Sequence, residues 1–151
     1  MPTDCDALAD RLAISDVLVR YATALDSRDW ELWRTCFTED AVLDYETSGV
    51  FDREGFVAYA SKALTFAVTQ HYVVNHVVEL DGDRARSRSY VLAQHVYAAD
   101  GALFSLGGVY DDELVRTLDG WRVARRHLTS RWSTGTLRRG GVAADGTPST
   151  S

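Results

Sequence analysis

The chain has 151 residues, 46% hydrophobic and 25% charged, with a net charge of −6. Such a length and composition describe one ordinary globular domain able to bury a sizeable core, and the acidic balance with scattered arginines argues against a nucleic-acid partner. Apolar stretches such as 63–68 are too short to cross a bilayer, and the acidic N-terminus (Asp4, Asp6, Asp10) lacks the basic and apolar regions of a signal peptide, so a cytoplasmic protein with no membrane partner is expected.

From Asp6 to Leu25 the apolar residues Leu8, Leu12, Ile14, Leu18, Tyr21 and Leu25 recur mostly at three- and four-residue steps. That spacing predicts a helix, with room for a kink near Ser15. Asp26-Ser27 ends it, and Ser27 is placed to cap a short second helix carrying Trp30, Trp33 and Phe37 on one face. Residues 41–45 read as a short strand and Gly49 as a turn. Asp52 is placed to cap a third helix lined by Phe56, Tyr59, Ala63 and Leu64. Then the pattern changes. Asp-Gly pairs at 81–82, 100–101 and 119–120 punctuate the β-rich runs 71–80, 84–97, 103–117 and 121–134, which predicts a four-stranded antiparallel meander. Strands this long must twist and bend, and Gly107-Gly108 supplies a bulge. Helices across the concave side of such a sheet enclose a pocket. Small and polar residues dominate from Arg138 onward, so the expected organisation is one α+β domain over 1–136 and a flexible tail over 137–151.

This layout resembles the cone-shaped nuclear transport factor two-like fold, and the residues look like its SnoaL-like branch, which includes scytalone dehydratase and hexachlorocyclohexane dehydrochlorinase. The resemblance is carried by Arg20-Tyr21-Ala22-Thr23-Ala24-Leu25-Asp26-Ser27-Arg28-Asp29-Trp30 and by Phe37-Thr38-Glu39-Asp40-Ala41-Val42. It continues through His71-Tyr72-Val73-Val74-Asn75-His76, Gly82-Asp83-Arg84-Ala85 and Gly120-Trp121-Arg122-Val123. It implies a pocket for a small apolar cyclic substrate and a homodimer or homotrimer. Fold alone does not choose among the chemistries such a pocket hosts.

The same resemblance implies a catalytic pair in which His71 is a general base and Asp26 its orienting carboxylate, with Tyr21 hydrogen-bonding a substrate oxygen or the leaving group. A carboxylate beside an imidazole fixes its tautomer and stabilises the imidazolium, and acid–base help of this kind is worth roughly 10² to 10⁴ in rate. Read singly, Asp26 is a helix-junction residue, His71 a strand-edge residue and Tyr21 a core aromatic. Tyr45 is a second hydroxyl candidate, and Trp30 a candidate for the pocket wall. His95 shares a strand face with Ala85, Ser87, Ser89, Val91 and Ala93 and is expected inward, as a proton donor, a polar anchor or a buried structural histidine. Arg131 and Trp132, late in the last strand, are weaker candidates for neutralising a developing charge and walling the pocket.

No metal or other cofactor is expected. His71 and His76 fall on opposite faces of a regular strand, no H-x-H or H-E-x-x-H pattern occurs, and Cys5 and Cys36 form no closely spaced pair. Lys62, the only lysine, sits on a polar helix position, so Schiff-base chemistry is not expected. The leading expectation is a cofactor-independent lyase or isomerase of dehydratase or dehydrohalogenase type. Epoxide opening, polyketide ring closure and a non-catalytic ligand-binding or structural subunit stand as alternatives.

Overall fold

Thr3 accepts a hydrogen bond from the Asp6 amide while the Asp6 carboxylate accepts from the Thr3 amide. This capping box starts α1 (Asp4–Ser27) in the computed structural model of the chain, which describes residues 3–46, 48–63 and 65–138. The helix runs unbroken past Ser15, and its buried face is Ile14, Val17, Leu18, Tyr21, Ala22 and Ala24. Leu8 and Leu12, expected on that face, stand in solvent, and in this half of the helix Asp10, bonded to Arg116 and Trp121, and Arg11, bonded to the Val78 carbonyl, meet the sheet instead. Arg28 closes α1 in a left-handed conformation (φ 55°). Asp29, not Ser27, caps α2 (Trp30–Arg34), accepting from the Leu32 amide at 3.0 Å, while the Ser27 hydroxyl turns back to donate to the Thr23 carbonyl.

β1 (Phe37–Tyr45) and β2 (Gly49–Asp52) form a hairpin, so the expected turn at Gly49 opens a further short strand. The Asp52 carboxylate accepts from the Gly55 amide and starts α3 (Arg53–Ala63), as its position predicted. The four long strands follow: β3 (Phe66–Asp81), β4 (Arg84–Tyr97), β5 (Leu103–Thr117) and β6 (Gly120–Thr134). Gly82 (φ 58°) and Gly120 (φ 104°) hold the positive φ that the β3–β4 and β5–β6 turns require.

The six strands form one sheet in the order β2-β1-β6-β5-β4-β3, antiparallel except where β1 runs parallel to β6. Five register irregularities bend it, and three of them set which way side chains face near the cavity. One lies in β3 between Val74 and Val77, where Asn75 has φ 56°. The other two lie in the β5–β6 pairing, at Gly107/Gly108 and at Glu113/Leu114. The helices cover the concave side, and Trp33 anchors them, stacking 4.9 Å from Phe56 and 4.4 Å from Phe37 with no exposure. Burial of one such aromatic contributes roughly 1.5–3 kcal/mol. No helix among the described residues is long and apolar enough to cross a membrane.

Candidate active site

The helices do not fill the concave side, and a cavity of about 110 Å³ remains against the inner faces of β3, β4 and β5. Asp26 reaches its edge from the last turn of α1, and His71 from β3. One oxygen of the Asp26 carboxylate lies 2.6 Å from His71 Nδ1 and accepts from the Thr69 hydroxyl at 2.9 Å. The other accepts from the His71 backbone amide at 2.8 Å. A single carboxylate therefore holds both the ring and the backbone of its partner. Burial pushes the Asp26 carboxyl up, but the His71 ring and amide and the Thr69 hydroxyl outweigh it, and Asp26 stays below the ordinary carboxylate range. An ionised carboxylate only accepts, so Nδ1 carries the ring hydrogen and the Nε2 lone pair is left free. His71 lines the cavity.

His95 also lines the cavity, its ring 5.3 Å from that of His71 and nearly perpendicular to it. Its Nδ1–H donates to the Phe104 carbonyl at 3.1 Å. Burial, then the neighbouring His71, lower its pKa to about 4. A neutral ring with its hydrogen committed to a carbonyl presents an acceptor, an arrangement that a polar anchor and a buried structural histidine share.

At the other end Tyr21, Tyr45 and Tyr110 meet. The Tyr21 hydroxyl lies 3.3 Å from that of Tyr45 and 3.1 Å from that of Tyr110. Three phenols own three O–H hydrogens and their two mutual contacts use two, so one hydrogen of the cluster has no protein acceptor among the described residues. Burial, then Tyr21, push the pKa of Tyr45 and of Tyr110 well above the ordinary phenol value, which keeps both as neutral donors. The Tyr59 hydroxyl is also buried at the cavity without a partner.

Behind the tyrosines lies a feature the sequence does not announce. Arg126 is sandwiched between the rings of Tyr21 and Tyr110, at 4.1 and 4.0 Å, and makes two bonds, of 2.8 and 2.7 Å, to Asp112. Both side chains are fully buried. Burial would push the guanidinium down, but Asp112 more than offsets it and Arg126 stays charged.

The cavity thus gathers His71, Tyr21, Tyr45, His95 and Trp30, with Asp26 behind His71. Arg131 and Trp132 lie outside it. Arg131 is the extra residue of the bulge opposite Gly107/Gly108 and is exposed, and Trp132 lies half-exposed over Gly107 on the outer face. His76 is corrected too. The irregularity at Asn75 returns it to the helix side of β3, where Nδ1 accepts from the Ser15 hydroxyl at 3.0 Å and Nε2 donates to the Val73 carbonyl at 2.9 Å. Among the described residues no three His, Cys, Asp or Glu side chains gather as a metal-binding set. Leu137, the first residue of the expected tail, lines the cavity, and residues 139–151 lie outside the described ones.

Residues 6–127 match the family model of the SnoaL-like domain. The chain is 38% identical over 123 residues to an uncharacterised protein of Mycobacterium tuberculosis, covering 79% of this chain and 84% of that one. Among solved structures it is similar to the hexachlorocyclohexane dehydrochlorinase LinA, with a TM-score of 0.80, 25% identity and coverage of 88% of this chain and 93% of that one. It is likewise similar to a Novosphingobium aromaticivorans protein described as a scytalone dehydratase, with a TM-score of 0.78, 26% identity and coverage of 88% and 92%.

Proposed function

The chain belongs to the SnoaL-like domain family, on the nuclear transport factor two-like fold, and from that premise we propose that it is a cofactor-independent lyase of dehydratase or dehydrohalogenase type acting on a small cyclic substrate. The observation that carries this reading is the 2.6 Å Asp26–His71 contact at the edge of a largely apolar cavity whose far end is lined by the phenols of Tyr21, Tyr45 and Tyr110. His71 Nε2 takes a proton from a ring carbon, and the C–H electron pair becomes the new double bond. The C–O or C–Cl bond on the adjacent carbon breaks, and its electron pair leaves as hydroxide or chloride. Hydroxide takes up the imidazolium proton and departs as water, while chloride departs as the ion. Asp26 stabilises the imidazolium while it lasts. Where the substrate carries a carbonyl beside the acidic C–H, the tyrosine cluster receives the oxygen on which charge develops. His95 accepts from a substrate hydroxyl, and Trp30 packs on the ring.

Tyr72, Val74, Tyr90 and Leu92 stand exposed on the outer sheet face in register with one another, and a homodimer or homotrimer would cover them. A cytoplasmic location accompanies this reading.

Epoxide opening is less well supported. The Arg126–Asp112 pair is sealed behind the tyrosines, and no second carboxylate bonds Arg126 among the described residues. The test is turnover of cyclic β-hydroxyketones and chlorinated cyclohexanes, followed as alkene formation. Turnover that falls roughly 10² to 10⁴-fold in a folded His71→Asn variant supports the proposal. Tight binding of these compounds with no turnover points instead to a ligand-binding protein.

A further inference from the structure

Among the described residues lining the cavity, one side chain carries a fixed charge, and it is Arg28. Its backbone is left-handed (φ 55°) at the end of α1, a position helices usually give to glycine or asparagine. The strain of a long side chain there calls for an account in terms of what that side chain does. Arg28 donates one N–H of its Nη2 to the Phe66 carbonyl, which ties the guanidinium to the start of β3 beside the cavity. Among the described residues no carboxylate lies within ion-pair distance of it. Of its five N–H donors, four are therefore left for another partner. The residue is exposed, so an anion meeting it keeps part of its hydration.

The rest of the cavity wall is neutral or apolar, with phenol donors at the buried end and the two histidines between. The chain as a whole carries −6 and repels anions at long range. Arg28 is a local exception to that field. A planar guanidinium fork matches a carboxylate with two parallel hydrogen bonds. We propose that Arg28 is the specificity-determining contact for an anionic substituent, a carboxylate, on the cyclic substrate, so that the substrate class is a single-ring carboxylic acid held at its charged end by Arg28. This rests on the proposed elimination and narrows its substrate. Arg28 binds, and His71 performs the proton transfer.

The test compares benzoate with benzamide, a pair alike in shape and different in charge, by titration calorimetry at neutral pH and low salt. The proposal expects the wild type to bind benzoate about tenfold more tightly than benzamide, with the preference shrinking as salt rises. Arg28→Asn, which tolerates the left-handed backbone, should lose the preference and keep benzamide binding. Arg28→Lys should retain part of it. Equal binding of the two probes by the wild type overturns the proposal, as does an Arg28→Asn variant that still prefers benzoate. Either result, with benzamide still bound and His71-dependent turnover of neutral rings intact, leaves the proposed reaction standing. If neither probe binds, the proposal and the ring-binding cavity fall together. The wild-type preference and its salt dependence decide the matter even if the variant does not fold.

Discussion

Replacing Asp112 by asparagine tests the arrangement behind the tyrosines. The substitution keeps the side-chain shape and removes the charge facing Arg126, both residues having no solvent exposure. The guanidinium keeps one of its bonds of 2.8 and 2.7 Å, to the amide oxygen, and loses the other, where the amide NH2 now faces a guanidinium N–H, while Nη1 already has no partner among the described residues. Breaking a buried pair from one side costs about 3–5 kcal/mol. The rings of Tyr21 and Tyr110, at 4.1 and 4.0 Å, remain and offset part of this, so a net loss near the lower bound, about 3 kcal/mol, is expected. With a urea slope of about 2 kcal/mol per molar, the unfolding midpoint read by tryptophan fluorescence should fall by roughly 1.5 M. The double variant Asp112→Leu/Arg126→Met should recover most of that loss, since a well-packed apolar pair often replaces a buried ion pair without penalty. A midpoint that falls by less than about 0.5 M in Asp112→Asn, or a double variant as unstable as the single one, would refute the reasoning.

Because His95 falls from its ordinary 6.5 to about 4 in the folded chain, the unfolded chain binds the extra proton between those values. Its contribution is therefore fully present above pH 6.5 and is lost as pH falls towards 4, worth at most roughly 3 kcal/mol across the window. Urea midpoints measured from pH 7 to 4 should flatten in His95→Gln by about that amount, and an unchanged pH slope would contradict the assignment. The adjacent glycines of β5 should respond differently to alanine. A Cβ at Gly108 would lie 2.6 Å from the Thr129 backbone oxygen, whereas the nearest atoms to one at Gly107, at 2.2 Å, belong to the ring of half-exposed Trp132, which can swing away. Chemical denaturation should therefore find Gly108→Ala more destabilising than Gly107→Ala by more than about 1 kcal/mol, and the reverse order would contradict the bulge geometry.

The sheet was legible because three Asp-Gly turns and period-two alternation both act locally, and the three helices showed themselves by spacing, although of their caps only Asp52 was placed correctly and Phe37, expected on the second helix, opens β1. Bulges limited what alternation could reveal. Counting inward from Trp121 and Val123 aims Arg125 at the core, but the irregularity between Glu113 and Leu114 makes Ala124 the extra residue and turns Arg126 inward. The same effect at Asn75 returned His76 to the helix side. Asp112 carried a readable signal, a charge between the inward residues Tyr110 and Leu114, but its partner lies 14 residues away and meets it only through strand register. Asp26 and His71, 45 residues apart, came from family resemblance, since neither stands out by itself. Arg28 escaped notice because a left-handed cap depends on backbone geometry that residue spacing does not encode.

The most direct test of the central claim, that His71 is a general base oriented by Asp26, is solvent deuterium incorporation into a cyclic β-hydroxyketone, measured by NMR in D₂O. The account predicts exchange at the carbon beside the carbonyl for the wild type, slower by roughly 10² to 10⁴-fold in His71→Asn and intermediate in Asp26→Asn, with circular dichroism unchanged. Exchange at the wild-type rate in a folded His71→Asn chain would contradict it.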